Sequence, residues 1–155
     1  MAATSTNKQP LLVDRVLHYV VNLDTAAVSA IDVAGTNTAL LLIDGTTQDG
    51  AIIEDIYSIA RGTAESTINL YMSSSSDYLR PNEGVLVGQF KSATTVGERT
   101  QWENMPSILA PMPHTGTESQ FKAFYLPKGR TLWAARQSNT IATDGPLVGC
   151  QGGWY

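Results

Sequence analysis

The chain has 155 residues, 43% of them hydrophobic and only 15% charged, with 10 Lys and Arg against 14 Asp and Glu for a formal net charge of −4. That length suits one domain with a sizeable apolar core and a short tail, and excludes two full domains. One cysteine excludes an internal disulfide, and scattered cations under a net acidic balance exclude a phosphate-binding surface.

The polar stretch Met1 to Gln9 lacks the apolar core of a secretion signal and reads as an extended arm ended by Pro10. No apolar run reaches membrane-spanning length, so neither membrane nor nucleic acid is an expected partner. Residues 11–23 admit two periodicities. Apolar residues at 12, 13, 16, 17, 20 and 21 suit a helix with Pro10 near its first turn. Leu17, Tyr19, Val21 and Leu23 against His18 and Asn22 suit a strand, and the valine content favours this extended reading.

Strand and turn signals then alternate. Thr38 to Ile43 is an apolar run closed by Asp44-Gly45, and Ala51 to Arg61 is an Ile- and Tyr-rich run bounded by Asp49-Gly50 and Gly62. Thr67 to Met72 alternates, placing Ile68, Leu70 and Met72 on one face. Gly84 to Phe90 follows the Arg80-Pro81-Asn82-Glu83-Gly84 turn. Residues 105–116 carry Pro106, Pro111 and Pro113, which rule out a regular helix. Phe121 to Leu126, the turn Pro127-Lys128-Gly129 and Thr131 to Ala135 read as a hairpin-like pair, and Pro146 to Cys150 as the last strand. Short strands punctuated by turns predict an all-β fold, a single β-sandwich or barrel.

Motifs for chemistry are absent. His18 and His114 have no partner at metal-ligand spacing, and no Gly-x-Ser-x-Gly, Walker loop or dinucleotide fingerprint occurs. Asp44 to Gly50 places two carboxylates five apart but lacks the remaining calcium ligands, so it reads as a turn. Strict alternation sends Glu54 and Asp55 to opposite faces, where they cannot act as an acid pair. Cys150 reads as a small core residue. Trp102, Trp133 and Trp154 are spaced for burial rather than for a sugar-stacking platform, with Trp133 expected between two sheets. No enzyme activity and no cofactor is expected.

From residue 37 onward the order of features resembles a group of small jelly-roll virion proteins of tailed bacteriophages. The shared elements are a short strand, the Gly-bounded strand Gly50 to Ile56, a Gly/Thr turn and the aliphatic-aromatic strand Thr67 to Met72. Leu126-Pro127-Lys128-Gly129-Arg130-Thr131-Leu132 and the closing Gly152-Gly153-Trp154-Tyr155 complete the set. Where that group is expected to carry an acidic residue before the terminal aromatic, this chain has Trp154. The resemblance implies a jelly-roll β-sandwich and a capsid decoration or cement protein, assembled in a host cytoplasm and ending on the capsid surface of the virion. A tail, neck or fibre component, or a carbohydrate- or receptor-binding module, is the alternative.

These readings divide the chain into an arm, residues 1–15, and a domain, residues 16–155. The arm is the expected attachment segment, with Lys8, Gln9, Pro10, Leu11 and Leu12 as partner-binding residues, because an extended segment can pair with an exposed strand edge. The expected partners are the major capsid protein, or another virion protein, and further copies of the chain. A trimer is favoured, because icosahedral shells offer local three-fold sites.

Overall fold

The computed structural model describes residues 15–24, 39–77, 79, 84–103, 105, 123–137 and 144–154. Among them the chain forms nine strands and no helix: β1 Arg15–Asn22, β2 Leu40–Asp44, β3 Gly50–Ile59, β4 Thr67–Ser73, β5 Val85–Lys91, β6 Arg99–Gln101, β7 Phe124–Pro127, β8 Thr131–Arg136 and β9 Leu147–Trp154. They build two antiparallel sheets. The first has the order β1-β9-β3-β6, with β7 also pairing β3, and the second has the order β2-β8-β4-β5.

The pairings nest. β1 pairs with β9, β2 with β8, β3 with β6 and β7, and β4 with β5. Two further pairings, β3 with β9 and β4 with β8, join these pairs into sheets. β6 meets β3 at Tyr57 to Ile59 and β7 meets it at Gly50 to Ile53, so two short strands share the length of β3.

Inward side chains from both sheets form one apolar core that includes Leu17, Ile53, Ile56, Ile68, Leu70, Leu132, Val148 and Cys150. As expected from alternation, Ile68 and Leu70 belong to that core with Met72 packed against it. Bulges adjust the pattern where alternation would bury the wrong group. In β3 the register passes from Ile53 opposite Gly152 to Asp55 opposite Gln151, leaving Glu54 as the extra residue. Ile56 thereby enters the core while Glu54 stays exposed. In β2 the register skips Leu42, and Leu42 and Ile43 are both buried.

Most sequence-derived strands are present, and Arg15–Asn22 settles that part of residues 11–23 as strand. Residues 11–14, and nearly all of the proline-rich 105–116 segment, lie outside the described residues. Three expectations are corrected. The segments flanking Pro127-Lys128-Gly129 do not form a hairpin, because β7 pairs with β3 in the first sheet and β8 with β2 and β4 in the second. The turn is tight, with Arg130 N donating to Pro127 O at 3.1 Å and Gly129 at φ +71°, yet it carries the chain between sheets. It docks on the β2–β3 turn, where Gly45 N donates to Arg130 O and Gly129 N to Gly45 O, both at 3.1 Å.

Second, Trp133 is buried, at 3% exposure, but not between the sheets. Leu132 and Ala134 take the inward positions, and Trp133 packs with Ala39, Tyr71, Leu79 and Ala135 on the opposite face of the second sheet. Third, the bulge at Glu54 breaks the strict alternation on which the opposite-face argument for Glu54 and Asp55 relied.

Candidate interface on the outer face of the first sheet

β1 is the end strand of the first sheet, and only β9 pairs with it among the described residues. Leu17 points into the core. The alternate residues Val16, His18, Val20 and Asn22 therefore occupy the outer face. Val16 is 83% exposed and Val20 48%, and Tyr19, at the rim, is 47% exposed. The register is unbroken over eight residues, from Arg15 opposite Trp154 to Asn22 opposite Leu147.

Beside this apolar strip lies a polar cluster drawn from β1, β3, β6 and β9. Cross-strand register aligns His18 with Gln151 and Asp55, and Val20 with Gly149, Tyr57 and Gln101. The Tyr57 ring lies over Gly149, where a Cβ would come within 2.3 Å of the ring, so a side chain at that position would displace it. From there the Tyr57 hydroxyl meets His18 Nε2 at 3.0 Å. The Arg99 guanidinium stacks over the ring, 4.3 Å from its centroid, and forms an ion pair with Asp55. Gln101 and Gln151 each donate an amide N–H to the Asp55 carboxylate at 3.3 Å. Asp55 is thus buried but surrounded by donors, as a buried charge requires.

Cys150 lies on the inward side of β9, and burial pushes its thiol up to about 12, far from a nucleophile's range. Among the described residues no group of three or more His, Cys, Asp and Glu side chains is placed to hold a metal ion. The Asp44 to Gly50 segment is a turn, as read from sequence: Asp44 Oδ1 accepts from Thr46 N at 3.0 Å and from Thr46 Oγ1 at 2.6 Å. Asp49 is engaged by Lys128 at 2.6 Å, and this contact lowers the Asp49 pKa and raises that of Lys128. Likewise the hydrogen bond from Arg61 holds the Asp24 carboxyl below its ordinary value.

Lys8, Gln9, Pro10, Leu11 and Leu12, the expected partner-binding residues, lie outside the described residues, as does His114. His18 is exposed as expected and is drawn into the cluster by Tyr57. Trp102, Trp133 and Trp154 are all buried, so none offers an indole face to a sugar. Sequence reasoning missed Asp55, Tyr57 and Arg99 as a unit. The alternation of Asp55 and Tyr57 was visible, but β6, which brings Arg99, spans three residues and carries no strand signature. No family model, curated protein or solved structure matches the chain.

Proposed function

We propose that the chain is a non-enzymatic virion structural protein, a decoration or cement protein that binds the capsid lattice and stabilises the head. The observation that carries this reading is the nested strand pairing. First pairs with last, second with second-to-last, and so inward to β4 and β5. The orders β1-β9-β3-β6 and β2-β8-β4-β5 support reading the fold as a jelly roll, with β6 and β7 together filling one strand position. Jelly rolls serve as viral capsid domains and also as lectin and cupin domains, so the fold alone does not choose among them. The choice is supported by the surface. The outer face of the first sheet couples an apolar edge strand to a braced polar cluster, which suits contact with protein. The lectin alternative loses its main support, because the indoles it would use are buried.

The proposed attachment arm precedes β1 directly in sequence. Mixing purified protein with undecorated capsids, then counting bound copies by quantitative gel or electron microscopy, tests the reading. Hundreds of copies per particle are expected. A dozen or fewer would move the chain to the tail or neck, and no binding would remove the decoration role. Deleting residues 2–12 is expected to reduce occupancy, and full decoration by the shortened chain would dismiss the arm.

A further inference from the structure

Sheet edges in soluble proteins are normally guarded by short length, bulges, proline or charge. Among the described residues, four of the five edge strands follow that rule. β2 is five residues long, bulged at Leu42 and ended by Asp44. β5 has a register shift that leaves Val87 as the extra residue, and it ends at Lys91. β6 spans three residues and begins with Arg99, while β7 spans four and ends at Pro127. β1 has none of these devices over eight residues, apart from the terminal cation Arg15, and it carries the exposed Val16, Tyr19 and Val20.

We infer that β1 is a self-association edge, on which β1 of a second copy pairs antiparallel across a two-fold axis and continues the first sheet from one molecule into the other. The strand's own register points to this occupant. A two-fold axis normal to the sheet keeps outward residues outward in both copies, so each allowed register is centred on a single residue. Centred on Leu17, Val16 would face His18 of the second copy; centred on Tyr19, it would face Asn22. Centred on His18, it faces Val20 of the second copy. The two most exposed valines of β1 then cover each other twice, with Leu17 beside Tyr19 of the second copy. The same register places the two Arg15 side chains six residues apart along the strands. That is about 20 Å, roughly two Debye lengths at 0.1 M salt, so the lone cation of this strand does not oppose the contact. The contact is isologous and closes as a dimer. It concerns the free protein and stands whether or not the chain decorates a shell.

Sedimentation velocity on the intact chain across micromolar concentrations is expected to show a monomer–dimer equilibrium. Val20→Lys, on an exposed position, is expected to leave the monomer with unchanged circular dichroism and melting. Register is read by cross-linking. His18→Cys places two thiols directly opposite each other, within disulfide reach, and the native Cys150 is buried and does not compete. Val16→Cys places its thiols four residues apart, about 14 Å, beyond that reach. Rapid oxidation of His18→Cys to a covalent dimer, with Val16→Cys remaining reduced, is the expected pattern. A strictly monomeric or trimeric intact chain would overturn the inference. So would a Val20→Lys variant that still dimerises, or Val16→Cys cross-linking as fast as His18→Cys.

Discussion

Replacing Gly88 by alanine decides between two opposite signs. In a strand open to solvent, Gly→Ala is expected to stabilise by about 0.5–1 kcal/mol, because alanine has less chain entropy to lose. At Gly88 the new methyl would lie 1.9 Å from Trp102 Cζ2, 2.4 Å from Cη2 and 2.7 Å from Cε2. Ordinary carbon contact begins near 3.4 Å, so the ring must retreat by about 1.5 Å. It has little room to do so. Trp102 is 5% exposed, its backbone N–H donates to Ile56 O at 2.8 Å, and its ring packs on Phe124 with centroids 6.3 Å apart. Overpacking of this kind costs about 1–3 kcal/mol, which outweighs the entropic gain. Urea unfolding followed by circular dichroism reads the result. At an m-value of about 2 kcal/mol/M the midpoint should fall by roughly 0.5–1 M with unchanged slope. Adding Trp102→Leu, which frees the space, should make Gly88→Ala neutral or stabilising, so the pair is strongly coupled in a double-mutant cycle. A midpoint that stays or rises in the single variant would refute the close packing of β5 on the Trp102 ring.

Three further outcomes test other parts of the fold. Trp133→Ala should cost about 3–5 kcal/mol despite its place on the outer face of the second sheet, and a loss below about 1 kcal/mol would mean the ring is exposed. Trp133→Phe should cost nearer 1 kcal/mol, since it keeps much of the burial and loses mainly the 2.9 Å indole N–H bond to Thr131 Oγ1. Ser58 Oγ is fully buried with no hydrogen-bond partner among the described residues, so Ser58→Ala should be neutral or stabilising in thermal melts, and a marked loss would reveal a missing partner. The Cys150 thiol titrates near 12 in the fold against 9.0 ordinarily, so the unfolded chain loses this proton first as pH rises. Stability should fall between pH 9 and 12, by on the order of 4 kcal/mol at the upper end from this group. Burial also raises the Tyr71 pKa, which acts in the same direction. Cys150→Ala should flatten the alkaline slope, and an unchanged slope would place the loss elsewhere.

The comparison of chain and fold turns on what period-two alternation can and cannot encode. Ile68, Leu70 and Met72 could be assigned to the core side because Asn69 and the Tyr71 hydroxyl mark the other face as one that accommodates polar groups. The last strand was legible over Pro146 to Cys150, though not its continuation to Trp154, and the turns at Asp44-Gly45 and Lys128-Gly129 were legible for the same local reason: glycine, proline and side-chain acceptors act within a few residues. Thr131 to Ala135 carried no such mark. The second sheet is buried on both faces there, so Leu132, Trp133, Ala134 and Ala135 read alike, and only the packed sheet shows which pair faces the core.

Pairing itself was beyond local reading. Arg15 meets Trp154 across almost the whole chain, and β7 and β8, adjacent in sequence, go to different sheets. The Asp55, Tyr57 and Arg99 cluster has the same origin. Without the bulge at Glu54, Asp55 would turn inward and Ile56 outward, exchanging a core side chain for a carboxylate cut off from its Arg99, Gln101 and Gln151 partners. The sequence by itself determined an all-β chain, the approximate place of most strands and the inward face where one face tolerates polar groups, because these depend on neighbouring residues. The tertiary structure decided the nesting of the strands, the burial of Trp133 on the outer face and the place of β1 at the end of the first sheet among the described residues, because each depends on which distant segment supplies the other side of the contact.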